Sequence, residues 1–150
     1  MEKVKQFADQ VFATLGAGFT ERIYHNAMVV LLRRHKIPYK TEQTIPVMFE
    51  GENVGSVRAD LVIGDSIVVE LKSVRSLKDD HATQCGMYMK LLKIPNGLVI
   101  NFPCSDFESV SYQEMHESVG CKRCGRDNHE ASKCYAKRHT DGTPLNNLPA

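Results

Sequence analysis

The stretch RADLVIGDSIVVELK, residues 58–72, restricts this chain more than any other. It is rich in β-branched residues and broken by a Gly-Asp turn signal, so it reads as two strands of a hairpin. Yet it places Asp60, Glu70 and Lys72 where strands want apolar residues. Side chains alternate along a strand, so Glu70 and Lys72 share one face and Leu71 points to the other. The position of Asp60 depends on the turn. A two-residue loop at Gly64 and Asp65 sets it opposite Val69, whereas a three-residue loop over residues 64–66, or one bulge, sets it opposite Glu70. We expect the second register. Two carboxylates facing each other about 5 Å apart repel and weaken a sheet, so that register makes sense only with a cation between them.

Hard oxygen donors of this kind suit magnesium or manganese, held by one or two carboxylates plus substrate phosphate. Such a cation lowers the pKa of a bound water, and Lys72 is placed to position that water, take its proton or stabilise developing negative charge. On residue types alone a plainer alternative stays open: Asp60 ends a strand, and Glu70 and Lys72 form an exposed cross-strand pair. Arg58 is a candidate phosphate contact or else a guanidinium covering the sheet edge.

The rest of the chain supplies a frame for that hairpin. Val4, Phe7, Val11, Phe12 and Leu15 recur at helical spacing until two glycines in LGAG stop them, which predicts a helix over residues 2–14. A second helix follows, with Thr20 as N-cap and Ile23, Ala27, Val30 and Leu31 as its buried stripe, and ends before Pro38. Residues 39–72 read as a three-stranded meander. Residues 76–93 return to helical period through Leu77, Cys85, Tyr88, Leu91 and Leu92, capped by Ser76, and GLVINF at 97–102 is the continuous apolar run of a strand buried on both faces. The expected order is ααβββαβ, an α/β fold.

Composition narrows the function classes. The longest apolar run is the six residues 27–32, far below the roughly 20 of a membrane-spanning helix. The charged start MEKVKQFADQ lacks the apolar region of a secretory signal, so an intracellular protein of cytoplasm or nucleus, including a virus-encoded one, is expected rather than a secreted or membrane protein. Residues 1–115 carry 13 Lys/Arg against 14 Asp/Glu, and residues 116–150 carry 6 against 4. Any nucleic-acid surface must therefore be local, with residues 33–40 and 70–78 as candidate patches. Self-association is left open.

Asp60 followed by Glu70-Leu71-Lys72 on consecutive strands after a helix resembles the PD-(D/E)xK nuclease superfamily. Gly18-x-x-Glu21-x-x-Tyr24, VGSVRADLVI, IVVELKSV, Gln84-x-x-x-Tyr88 and GLVINF, in that order, resemble its GxxExxY branch across nearly all of residues 4–102. The resemblance implies a restriction-endonuclease-like core with a mixed central sheet flanked by helices. It also implies a magnesium site on Asp60, Glu70 and the Leu71 carbonyl, with Lys72 catalytic and Glu21 and Gln84 supporting; Glu21 is then a further acid at the metal. Tyr24 and Tyr88 are carried as substrate contacts. Ala59 stands where the superfamily name has proline, and since it supplies no ligand the chemistry is unaffected. The function so implied is magnesium-dependent hydrolysis of nucleic acid, DNA favoured over RNA. A non-catalytic nucleic-acid or protein adaptor on the same fold is the alternative.

The tail makes a second module, residues 116–150. Cys121-x2-Cys124-x4-His129-x4-Cys134 offers three thiolates and one imidazole, the ligand count of a structural Zn2+ site, in a segment too short to bury a core of its own. The spacing resembles the CCHC zinc knuckle of nucleic-acid-binding proteins. Arg123 and Arg126 are its candidate phosphate contacts, while Lys122 stands where such knuckles often place a base-stacking aromatic. Cys85 and Cys104 read as small packing residues without chemistry.

Overall fold

The computed structural model describes residues 1–117, and Met1–His116 cohere as one unit. Val4, Phe7, Ala8 and Val11 are all buried, so α1 (Glu2–Leu15) turns a single apolar stripe inward. The helix stops at Gly16. Gly18, at φ 92°, supplies the left-handed backbone that leads into α2 (Glu21–Arg34), with Thr20 as its extended N-cap residue.

The buried stripe of α2 differs from the expected one. Tyr24, Met28, Leu31 and Leu32 face the core, and Ile23 is 42% exposed. The helix is thus rotated by about one residue, and Tyr24 explains why. Its ring stacks on Phe102 with centroids 4.2 Å apart, and its hydroxyl donates to the Gly16 carbonyl at 2.7 Å. A phenol whose hydroxyl is satisfied buries more area than the Ile23 side chain it displaces from the core.

Five strands form one sheet in the order β1 (Tyr39–Phe49), β2 (Glu52–Ile63), β3 (Ile67–Lys72), β4 (Asn96–Asn101), β5 (Ser111–His116). The β3–β4 pair, joined through α3 (Asp79–Leu92), is parallel and the other neighbours are antiparallel. This is the mixed sheet flanked by helices that was expected, with one more strand. β5 carries the polar sequence SYQEMH at the sheet edge, so it lacks the apolar alternation that marks a strand. Besides its ladder with β4, it is held by specific bonding to α1: the Tyr112 hydroxyl donates to the Lys5 carbonyl at 3.1 Å and to Asp9, and Lys5 pairs with Glu114.

The sheet is covered on both sides. Leu61, Ile63, Val69, Leu71, Leu98 and Ile100 pack with α1 and α2. Val62, Val68 and Val99 pack with Cys85, Tyr88 and Met89 of α3. A Cβ on Gly97 would stand 2.9 Å from the Cys85 sulfur, so α3 lies close on β4 because that residue has no side chain. α3 begins at Asp79, three residues later than expected, because the Lys78 N–H donates to His81 Nδ1 at 3.2 Å and the cap is made there rather than at Ser76. No helix among the described residues is long and apolar enough to cross a membrane.

Candidate metal and catalytic site

The turn between β2 and β3 occupies residues 64–66, with Gly64 and Asp65 at φ 57° and 48°. Leu61 pairs with Val69, Val62 with Val68 and Ile63 with Ile67. That is the three-residue register, which continued by one step would set Asp60 opposite Glu70. The ladder ends just there. Asp60 takes over from it with its side chain: Oδ2 accepts the Leu71 N–H at 2.8 Å. The carboxylate thereby satisfies a backbone donor that β2 abandons when it diverges from β3.

The divergence has a local cause. β1 and β2 pair from Tyr39↔Ile63 to Phe49↔Glu52, but the position facing Asp60 is skipped, and Glu42, which stands there, has φ 47°. Side-chain alternation breaks at this point. Leu61 packs toward α1 and α2, whereas Ala59 packs toward α3 with Ile45. Asp60 sits where the hairpin leaves the five-stranded sheet.

Glu70 is the most unusual residue of the site. Its side chain is 2% exposed; Oε1 accepts from Lys72 Nζ at 2.7 Å, and Oε2 is buried with no hydrogen-bond partner. Burial first, and then the nearby Asp60 charge, push its pKa up to about 7 against the ordinary 4.5, although Lys72 pulls the other way. Glu21 is raised too, chiefly by burial and further by Asp60, with Lys72 opposing. The Lys72 pKa lies above its ordinary value, since Glu70, Glu21 and Asp60 together outweigh the effect of its burial. Three carboxylates therefore share the field of one ammonium, and the cluster is short of positive charge.

The segment that follows Lys72 is pinned. Asn101, 3% exposed, accepts the Val74 N–H on Oδ1 and donates from Nδ2 to the Val74 carbonyl, both at 2.9 Å. The Phe102 N–H donates to the Lys72 carbonyl at 2.8 Å, and Ser73 Oγ donates to the Phe19 carbonyl at 3.2 Å. The lysine is thus held between the end of β4 and the turn that precedes α2. Nothing in the sequence pattern singled out Asn101, because a lone asparagine at a strand end carries no period.

Glu21 and Asp60 line one open cleft, together with Arg22, His25, Asn26, Glu42 and Arg58. Arg22, His25 and Asn26 were not expected from sequence. The signal that could have found them is helical spacing: His25 lies one turn from Glu21, and Asn26 one turn from Arg22. Gln84 is half-buried on α3, its Nε2 donating to the Tyr88 hydroxyl at 2.8 Å.

Tyr24 and Tyr88 do not occupy substrate-facing positions. Tyr24 is 0% exposed and Tyr88 4%, and each hydroxyl is engaged inside the protein. The expectation that they touch substrate is corrected by their burial; they hold α2 and α3 in place. Cys121, Cys124, His129 and Cys134, with Arg123 and Arg126, lie outside the described residues.

Among the described residues, no three His, Cys, Asp or Glu side chains converge as a complete metal cage. The donor chemistry of Asp60 and Glu70 nevertheless suits a hard divalent cation. The unpartnered Glu70 oxygen is a buried acceptor wanting a positive partner, and the neighbouring carboxylates lack cations to match them.

A family model described as the PD-(D/E)XK nuclease superfamily matches residues 1–113. Among solved structures, the chain is similar to the crystal structure of SSO0001, with a TM-score of 0.51 and 23% identity over 64% of this chain. It spans 50% of that protein's length, and the likeness speaks for the fold. No curated protein matches the chain.

Proposed function

Because the chain belongs to the PD-(D/E)XK nuclease superfamily, we propose that it is a magnesium- or manganese-dependent nuclease that hydrolyses phosphodiester bonds, with DNA preferred over RNA. The observation that carries this reading is Glu70, a buried carboxylate with one oxygen on Lys72 and the other unpartnered, beside Asp60. Asp60, Glu70 and the Leu71 carbonyl hold the cation, and Glu21 adds a further acid from α2. When bound, the cation supplies Lewis acidity and a water of lowered pKa.

The protein's own groups do the rest. Asp60 keeps one oxygen on the Leu71 N–H, which fixes the angle at which its other oxygen faces the site. Lys72 donates to Glu70 and is held by the bonds after β3, so its ammonium is placed to orient a water or to stabilise charge developing on a phosphoryl oxygen. Gln84 supports the site from α3 through its bond to Tyr88. Arg58, exposed on β2, holds substrate phosphate.

The finer assignment is to the branch bearing Gly18-x-x-Glu21-x-x-Tyr24. In the tail, Cys121, Cys124, His129 and Cys134 bind zinc as a knuckle, with Arg123 and Arg126 on phosphates. One zinc per chain by elemental analysis, lost in Cys124→Ser together with part of the nucleic-acid affinity, is the expected result for that module. For the nuclease, purified protein should cut DNA in magnesium, and Glu70→Ala and Lys72→Ala should each abolish cutting while retaining a cooperative unfolding transition. Undiminished cutting by both variants would sink the assignment.

A further inference from the structure

The cleft beside the carboxylates has a volume of about 280 Å³ and two walls. The wall from α2 carries Arg22, His25 and Asn26 next to Glu21, and the wall from β1 and β2 carries Glu42 and Arg58 next to Asp60. Arg22 forms no ion pair among the described residues, and the partner of Arg58 is Glu42 at 3.8 Å, between two exposed side chains. An exposed pair at that distance is worth at most about 1 kcal/mol, so both guanidinium groups are available to an incoming anion. Two arginines lining one cleft offer donors that match the oxygens of a phosphodiester.

His25 joins the walls. Its Nε2–H donates to the Asp60 carbonyl at 3.3 Å, so the helix and the strand are held at a set separation beside the carboxylate. Charge then makes occupancy conditional. Two arginines against Glu21, Glu42 and Asp60 leave the cleft at net −1, which repels an anion; a divalent cation held at Asp60, on the edge of the cleft, turns it to net +1.

We infer that this cleft is a subsite for a backbone phosphate next to the scissile one, contacted by Arg22 and Arg58, its walls positioned by His25, and filled only when the cation is present. This rests on the nuclease reading for the direction of the strand and extends it to residues of α2 that the motifs do not include.

The test uses the full chain and short single-stranded and duplex DNA oligonucleotides in which one phosphodiester at a time is replaced by a neutral methylphosphonate. Binding is measured in calcium, so that no cutting interferes, and again in EDTA. At one linkage, neutralisation should weaken binding to the wild-type protein on the order of tenfold, as expected for a lost charge-assisted contact. Arg22→Ala should shrink that difference, the double variant Arg22→Ala/Arg58→Ala should bind the substituted and the unsubstituted strand equally, and the position effect should vanish in EDTA. Retention of the same position effect by Arg22→Ala overturns the subsite, even in a protein that cuts. Conversely, a position effect that depends on Arg22 in a protein that cuts nothing in magnesium supports the subsite and removes the nuclease reading.

Discussion

The two halves of β2 obey different rules. Leu61, Val62 and Ile63 lie inside the five-stranded sheet, paired on both sides and at most 4% exposed. Residues 52–56 pair only with β1, as a two-stranded ribbon, and are exposed. Asp60 is the boundary between them, and its carboxylate does for Leu71 what the ladder no longer does. The inner half serves the fold. Beyond Asp60, Ala59 still packs toward α3, but residues 52–56 contribute little burial and Arg58 is carried to the cleft, so the site forms where the strand begins to leave the core.

The largest effect that would break this contrast is on stability. Leu61→Ala in the inner half removes a 0% exposed side chain and should cost about 2–5 kcal/mol by urea unfolding. Val54→Ser in the ribbon, 61% exposed, should stay within about 0.5 kcal/mol. A large loss from Val54→Ser would mean that the ribbon packs against something and is not a free arm.

Next comes the pH dependence of the metal-free protein. Glu70 binds its proton more tightly when folded, because its pKa is about 7 against the ordinary 4.5. Its contribution is therefore fully present below about pH 4.5 and lost as the pH rises through 7. Glu21 is raised as well and acts with the same sign, while the raised Lys72 changes nothing until far more alkaline pH. In EDTA, stability should fall between pH 4.5 and 7 by an amount on the order of 1–3 kcal/mol. Glu70→Gln should flatten most of that slope, and magnesium should oppose it. A slope unchanged in Glu70→Gln would show that the buried oxygen is solvated in solution.

A smaller change separates folding from chemistry at the boundary itself. Asp60→Ala leaves the Leu71 N–H without its acceptor and should cost about 1–3 kcal/mol. Asp60→Asn keeps an oxygen for that bond and should cost less, yet it removes the negative charge a cation needs. Asn stable and inactive, Ala unstable and inactive, is the expected pattern. Equal stability of the two would show that the bond to Leu71 contributes nothing to the fold.

The legibility of the sequence divides along the same line. The strands through residues 39–72, the three-residue register at residues 64–66 and the buried run of β4 follow from alternation and turn chemistry, which are local properties. α2 was legible as a helix but not in its rotation, because apolarity alone prefers Ile23 to Tyr24; the stacking on Phe102 and the bond to Gly16 are tertiary. β5 was missed because its sequence shows no apolar alternation, while the ladder with β4 and the bonds to Lys5 and Asp9 that hold it are long-range. In the site, Asp60, Glu70 and Lys72 announce themselves as charges inside strands. Arg22, His25 and Asn26 do not, since polar residues on an exposed helix face are unremarkable until the hairpin is seen to cross in front of them.

The smallest expected effect bears on the outer half of β2. Glu42 stands at the skipped ladder position with φ 47°, and its carboxylate is 3.8 Å from Arg58. With both side chains more than half exposed, the pair should contribute no more than a few tenths of a kcal/mol, so Glu42→Gln should leave the unfolding midpoint almost unmoved. Its consequence should appear in binding instead. Removing one of the three carboxylates from the cleft raises its net charge by one and frees Arg58, so affinity for DNA in calcium should rise severalfold at low salt. The gain should shrink as salt is added, because an added phosphate contact steepens the salt dependence. A stability loss above about 1 kcal/mol without a gain in affinity would assign Glu42 to the fold and move the boundary between the two halves of β2 outward from Asp60.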